Sequence, residues 1–530
     1  MPIFSRVIPN IYRDSVSLMQ LSSRLAEGKG IEQVAAVMAT PSNLDLLREA
    51  GLLENMPDAT SSDILALVKA KSAAAAAVVL EQLSGALGAA AASTSSVATL
   101  PGRMVARSLA MALNQDADAN LALISVPGEY AAAEAYKALD RGLNVMLFSD
   151  NVSVADEVAL KTKAGEKNLL MMGPDCGTSI IDGVPLGFAN AVRPGRIGCI
   201  GASGTGLQQV TCLIDRLGEG VSQAIGTGGR DLTAEVGART MLAALKLLAR
   251  DRSTEVIVLI AKPPHPDVAA RVLERASKAK KPVVVNFIGA AAAKSDGTLH
   301  FAKTLDDAAR AAVALARGKR PGARRATHAI RSRPKFSATQ RFVRGLYSGG
   351  TFCYEASMLL GARFDDTWSN ASLRDERALD DPWKSRAHSV VDLGDDVFTR
   401  GRPHPMIDHR LRNARMLKEA GDPRVAVILL DIVLGYGAHS DPASVMVPAI
   451  ESARARAAKG GRRIGFVGFI CGTAADPQDL GKQTKAFEKA GVLLGQSNAD
   501  AVGMAAALAA PLATIKRIAV ATTSRTGKRA

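Results

Sequence analysis

The chain has 530 residues, is 47% hydrophobic and 22% charged, and carries only 4% aromatics, so it can bury several large cores and is not disordered as a whole. Its net charge of +15 is local: residues 317–344 hold 10 Lys/Arg and no Asp/Glu, and residues 511–530 hold 5 and none. That pattern fits a solvated linker and tail, not a nucleic-acid face, which needs Lys/Arg spread over a folded surface with stacking aromatics.

At the N-terminus, residues 1–10 have no apolar signal core, and no run of about 20 uncharged apolar residues reads as a membrane span. Five scattered cysteines (Cys176, Cys199, Cys212, Cys353, Cys471) include no CxxC pair, which fits a reducing cytoplasm. The Ala-rich stretch 72–96 predicts a helix running into a loop. Short β-branched runs then predict strands at 121–126, 144–149, 196–200, 255–260, 282–287, 424–430 and 463–469, with helical spacing between them, as at 130–139 and 305–316. This alternation predicts an α/β fold with mostly parallel sheets, whose ligands bind beyond the C-terminal ends of the strands.

The chain also repeats itself. Loops and strands at 200–206, 224–231, 256–260 and 282–289, followed by a helix from Leu305, recur in the same order at 345–351, 390–396, 425–431 and 464–472, with a helix near Asp500. The boundaries that follow are a first region at 1–190, one domain at 191–318, a basic linker at 319–340, a related domain at 341–512 and a basic tail at 513–530.

Candidate chemistry sits at the loops. Ser203, Gly204, Thr205 and Gly206 follow a strand and open a helix, where small residues and free N–H groups suit phosphate. The spacing is neither the dinucleotide fingerprint nor the P-loop. Ser348–Thr351 repeats it, and the loop holding Gly435 and Gly437, before a helix near Asp441, is a third candidate, expected to share one pocket with the Ser203 loop. Gly229, Arg230 and Asp231 occupy the matching place in the first copy to Asp392–Asp396 in the second, and Arg230 is a natural fork for an anion. Pro174, Asp175 and Cys176 form a sharp turn, in which Cys176 reads as a packing residue. In the polar loop 402–409, Arg402 and His404 are held stiff by Pro403 and Pro405; they are expected to grip the carboxylate or carbonyl end of a substrate, with Asp395 or Asp408 orienting them. No metal-ligand spacing is present, so no metal is expected.

On these residues the chain resembles the FdrA family of acyl-CoA-synthetase-like proteins. The segments 14–19, 173–178, 228–232 and 401–408 carry the likeness, which covers about residues 5–512. Residues 121–205 are similar to the α subunit of succinyl-CoA synthetases, and the second copy to the ligase domain of their β subunit. The resemblance implies a Rossmann-like CoA-binding domain at 1–190, followed by two flavodoxin-like ligase domains. It implies coenzyme A at Pro174, Asp175 and Cys176, small acyl substrates and phosphate, separate partner subunits in a homo- or hetero-oligomer, and no nucleic acid or membrane. Its phosphohistidine context, Gly-His-Gly-Ala, is not found around His300, and no ATP-grasp region is expected. Three functions follow: an acyl-CoA-ligase-type enzyme working through an acyl phosphate; a carbamoyltransferase subunit acting between oxamate and carbamoyl phosphate in ureide breakdown; and a non-catalytic regulator binding CoA or an acyl phosphate.

Overall fold

The computed structural model describes residues 1–97, 106–290, 295–322 and 334–510. The middle of the expected linker and the whole expected basic tail lie outside these residues. Among the described residues no helix is long and apolar enough to cross a membrane.

The chain opens on an antiparallel unit. Strands β1 (Ile3–Ile8) and β2 (Ile31–Met38) flank β3 (Ile64–Ala70). Along β3 the side chains alternate: Ile64, Ala66 and Val68 pack with Leu18 and Leu83, while Leu65 and Leu67 pack with Leu44 and Leu47. Next comes a parallel unit, β4 (Leu121–Ile124), β5 (Asn144–Leu147) and β6 (Met171–Met172), joined by helices Gly128–Asp140 and Val154–Glu166. The single Rossmann-like region expected at 1–190 is therefore two units, of which only the second is parallel. Burial of β3 on both faces makes its sequence a continuous apolar run, and its direction is set by partners that local spacing does not reveal.

Two large sheets follow. The first contains β7 (Thr178–Ile181), β8 (Val184–Gly187), β9 (Pro194–Ala202), β10 (Val221–Gly226), β11 (Val256–Ala261), β12 (Val283–Phe287) and β13 (Leu299–Phe301), in the order β13-β12-β11-β9-β10-β7-β8. The second contains β14 (Phe342–Tyr347), β15 (Thr367–Ser369), β16 (His388–Asp392), β17 (Val425–Val433), β18 (Gly465–Cys471) and β19 (Leu493–Gly495), in the order β15-β16-β14-β17-β18-β19. Without the antiparallel β7–β8 hairpin and the edge strand β15, both sheets have one flavodoxin-like order, second-first-third-fourth-fifth, with all pairs parallel. The repeat seen in the sequence is thus a repeat of topology.

The copies share one core. Val210, Ile214, Ala309 and Val313 of the first pack in the same buried cluster as Phe352, Ala356, Ala501 and Ala505 of the second. Glu355 stitches the seam: its carboxyl accepts hydrogen bonds from the Leu305 N–H (2.7 Å) and from Asn498 Nδ2 (2.8 Å). Burial, with Asp306 and Asp307 nearby, pushes this carboxyl from 4.5 up to about 7. The folded state therefore binds the proton more tightly than the unfolded one. The stability this gives is complete below about 4.5 and is lost as pH rises through about 7. Wild type should lose unfolding free energy across that window in denaturant titrations, and Glu355→Gln should show a flatter profile.

Candidate functional site

Both copies turn the ends of their first strands toward one cavity of about 810 Å³. Ser203 caps helix Gly204–Arg216 by accepting the Gly206 N–H (2.9 Å), and its hydroxyl meets the Thr351 hydroxyl at 2.5 Å. Thr351 lies in the first turn of helix Gly350–Gly361, which has no side-chain cap. Two helix N-termini, one from each copy, so open on the same space. The first-turn N–H groups of Gly204, Thr205, Gly350 and Thr351 have no intrahelical acceptor, and both dipoles favour an anion there. The approach is close: a Cβ on Gly349 would come 2.9 Å from Thr205 Cγ2, and one on Gly204 3.1 Å from Thr178 Oγ1.

The second of these loops is fixed from behind. Buried Asp431 accepts from the Ser348 N–H (2.9 Å), the Ser348 hydroxyl (2.8 Å) and the Gly349 N–H (3.0 Å), and pairs with Arg412 at 2.6 Å. Further side chains line the cavity. Lys262 directly follows β11, and Asp392 ends β16. The Asp392 carboxyl is pushed up to about 7 by burial, against the pull of Lys262 and the Gly394 N–H; Asp175 is pushed up to about 6 by burial and by Asp150. His404 Nδ1 accepts the Met406 N–H (3.2 Å), which assigns the ring proton to Nε2. Burial and Arg412 push this imidazole down to about 4, so it is neutral and acts as a donor at neutral pH. The antiparallel unit supplies another wall through Arg13, Ser15 and Asn43, and is tied down by Gln33 Nε2 to the Gly401 carbonyl (2.6 Å) and Arg400 to Glu49 (3.0 Å).

The structure sorts the expected residues. Ser203, Gly204, Thr205, Gly229, Arg230, Pro174, Asp175, Cys176, Arg402 and His404 all line the cavity. Gly206 does not: its Cα backs onto Ser203 and Ile260. Arg230 is already engaged, with Glu157 at 3.0 Å and the Val152 carbonyl at 2.8 Å. Asp231 is fully buried behind it, where it pairs with Lys161 (2.8 Å) and accepts the Thr240 and Met241 N–H groups at 3.1 and 2.9 Å. Its role is to start helix Arg239–Arg250, not to touch a ligand. Gly435 and Gly437 face elsewhere: the Gly435 N–H donates to Gln478 (3.0 Å), and Gly437 lies against Phe188. The partner of the Ser203 loop is Gly349–Thr351 instead. Asp395 caps the short turn Asp396–Thr399 through the Val397 N–H (3.0 Å). Asp408 is forked by Arg410, not Arg402. Arg402 lies over the Trp383 ring at 5.7 Å, and among the described residues its guanidinium makes no hydrogen bond. The Cys176 thiol is buried and pushed up to about 11, which fits packing rather than nucleophilic attack. His300 sits on the edge strand β13, away from the cavity.

Sequence reasoning missed Lys262, Asp150 and the wall contributed by the first unit. The signal for Lys262 was a charge placed directly after a wholly apolar strand. Asp231→Ala should lower unfolding free energy by about 2–4 kcal/mol, because it leaves the buried Thr240 and Met241 N–H groups without an acceptor and takes one of two carboxylates from Lys161, which keeps Glu157 (2.8 Å); urea titration measures this, and the folded fraction should keep wild-type ligand affinity.

Three family models match the chain: the CoA binding domain over residues 192–289, CoA-ligase over 346–508, and the AllF heavy metal-associated domain over 1–101. The CoA-binding match thus falls on the first flavodoxin-like copy, not within 1–190. The chain is 43% identical over 500 residues, 93% of its length and 96% of the relative's, to Uncharacterized protein YahF of Escherichia coli (strain K12). It is 29% identical over 170 residues to Succinate--CoA ligase [ADP-forming] subunit alpha 2 of Archaeoglobus fulgidus, covering 31% of this chain and 58% of that subunit. Among solved structures it is similar to the apo dinucleotide forming acetyl-coenzyme A synthetase 1 of Ca. Korarchaeum cryptofilum, at 14% identity and a TM-score of 0.29, covering 76% of this chain and 85% of that one. Residues 1–101 contain neither Cys nor His, and so none of the thiolate or imidazole donors that most heavy-metal sites are built on. No group of three or more His, Cys, Asp or Glu able to hold a metal occurs among the described residues. The first unit therefore does not fit a heavy metal.

Proposed function

The chain belongs to the FdrA family and is of acyl-CoA-ligase type, and from that premise we propose that its cavity moves an acyl-type group between phosphate and an acceptor. The observation that carries this reading is the meeting of two helix N-termini across the Ser203–Thr351 contact. An acyl phosphate needs several N–H donors around its phosphoryl oxygens, and fixed donors in an enclosed site cost no reorganisation when charge moves onto them. Coenzyme A would lie along Pro174–Cys176 and the first turn of helix Gly128–Asp140, which has no side-chain cap and borders the same cavity.

One observation favours carbamoyl transfer between oxamate and carbamoyl phosphate as the specific reaction. Among the described residues His404 is the only histidine lining the cavity, and its Nδ1 is committed to Met406. A route that carries the phosphoryl group on an imidazole has no free imidazole to use. A direct transfer from carbamoyl phosphate needs none.

Thermal unfolding with CoA, ATP, acetyl phosphate and carbamoyl phosphate tests the site. A ligand at 100 times its dissociation constant should add about 2.7 kcal/mol, and we expect this from at least one of the two acyl phosphates. Gly204→Val should fold but lose the shift, because its branched side chain fills the first turn beside Thr178. ATP should not label any histidine. No shift of wild type with either acyl phosphate would overturn the reading. Consumption of acetyl phosphate with CoA, or of carbamoyl phosphate with oxamate, identifies the acceptor. A shift without consumption would leave a regulator.

A further inference from the structure

Asp392 and Lys262 belong to different copies yet converge on one point. A Cβ on Gly350 would lie 2.6 Å from Asp392 Oδ2 and 3.5 Å from Lys262 Nζ, so both tips stand at the first turn of helix Gly350–Gly361. They do not close into an ion pair; the gap between them is part of the cavity wall. The two oxygens of Asp392 are not equivalent. Oδ1 accepts the Gly394 N–H (2.9 Å), while the Asp392 backbone is clamped twice by Asn370, at 2.9 and 3.0 Å. That leaves Oδ2 aimed at the anion site. Lys262 reaches the same place across the Tyr354 ring, its Nζ 5.8 Å from the ring centroid.

We propose that Asp392 is the group that carries the proton of the transfer step, and that Lys262 takes up the charge of the departing phosphate. The proposal rests on the acyl-transfer reading of the cavity and adds to it the acid–base pair. As the acceptor's lone pair forms the new bond to the acyl carbon, its proton passes to Asp392 Oδ2. The bond from that carbon to the phosphate oxygen breaks, and its electron pair leaves with the phosphate. Asp392 then returns the proton to the phosphate oxygen, and Lys262 offsets the charge in between. Atoms, charge and protons balance without a further reactant. A carboxyl pushed up to about 7 suits this shuttle at neutral pH. The groups facing Asp392 are Lys262 beyond β11, Asp395 in its own loop, Asp431 on β17 and already paired with Arg412, Cys353 and Tyr354 on the helix it abuts, and neutral His404 beside Gly394.

Sulfate is the probe for the pair, because its charge is constant through the neutral range. In calorimetric titrations of the full chain, wild-type affinity for sulfate should fall roughly tenfold as the pH rises through about 7, when Asp392 ionises beside the site. Asp392→Asn keeps an acceptor for Gly394 and should remove that fall. Asp175, which titrates near 6, leaves any slope of its own at lower pH. Lys262→Met should weaken sulfate binding about ten- to a hundredfold and Lys262→Arg should restore most of it. With an acyl phosphate and its acceptor, Asp392→Asn should slow transfer by about 10²–10⁴-fold. A fall in affinity near pH 7 that persists in Asp392→Asn, or sulfate affinity unchanged in Lys262→Met, overturns the assignment while leaving the anion site standing. Failure of wild type to bind any of sulfate, acetyl phosphate and carbamoyl phosphate overturns the reading of the cavity itself.

Discussion

Asp431, near the end of β17, lies buried with the guanidinium of Arg412 and spends its oxygens on the Ser348 and Gly349 N–H groups. An ion pair this deep is costly to desolvate and holds only when nearly every lone pair and proton is satisfied. Here Arg412 also reaches the Asp431 carbonyl (2.7 Å) and His409 Nδ1 (2.9 Å). His409 is kept neutral by burial and by that same guanidinium, and so can accept. The result is a loop whose first two N–H groups are consumed from behind, leaving those of Gly350 and Thr351 to face the cavity. The polar residues that look most like catalytic groups in this region, Asp431 and His409, are thus what fixes the donors rather than what meets a ligand.

The first copy solves the same problem differently. Ser203 caps its own helix, and Gly204 and Thr205 supply the open donors. Because both sheets follow one strand order, equivalent loops emerge at equivalent places, and packing the copies through a shared core brings those loops together. The seam is hydrogen-bonded as well as packed: Asn190 donates to the Leu434 carbonyl (2.9 Å) and to Asp476 (2.8 Å), so the chain entering the first copy is pinned to the second. Asymmetry enters through the additions. The β7–β8 hairpin and the parallel unit before it wall one side, and the antiparallel unit walls another.

Seven expected strands and two helices appear close to their expected places, because parallel strands, most of them here buried on both faces, write apolar runs that turn-forming or polar residues end. The repeat was legible for the same reason. The antiparallel unit was not, since its strand directions depend on contacts dozens of residues apart. At the site, the Ser203 loop could be read from its own residues. The choice of Gly435 and Gly437 as its partner failed because glycines were equally suited to the two candidate loops, and only packing decides between them. Arg230 and Asp231 were expected to hold the substrate or phosphate, but Glu157 and Lys161 lie some seventy residues earlier in the chain and claim them. Lys262 carried no local mark except its place at the end of a strand, and its value comes from an aspartate 130 residues away.

The Ser203–Thr351 contact joins residues of one polypeptide. A site assembled between separate chains is a bimolecular product and empties on dilution. Fusion makes its closure intramolecular, with an effective concentration set by the tether rather than by how much protein is present. Occupancy of the assembled form, and the melting of the seam that holds it, are therefore insensitive to expression level, so a cell can keep this chain scarce without losing the geometry of its two opposed helix ends.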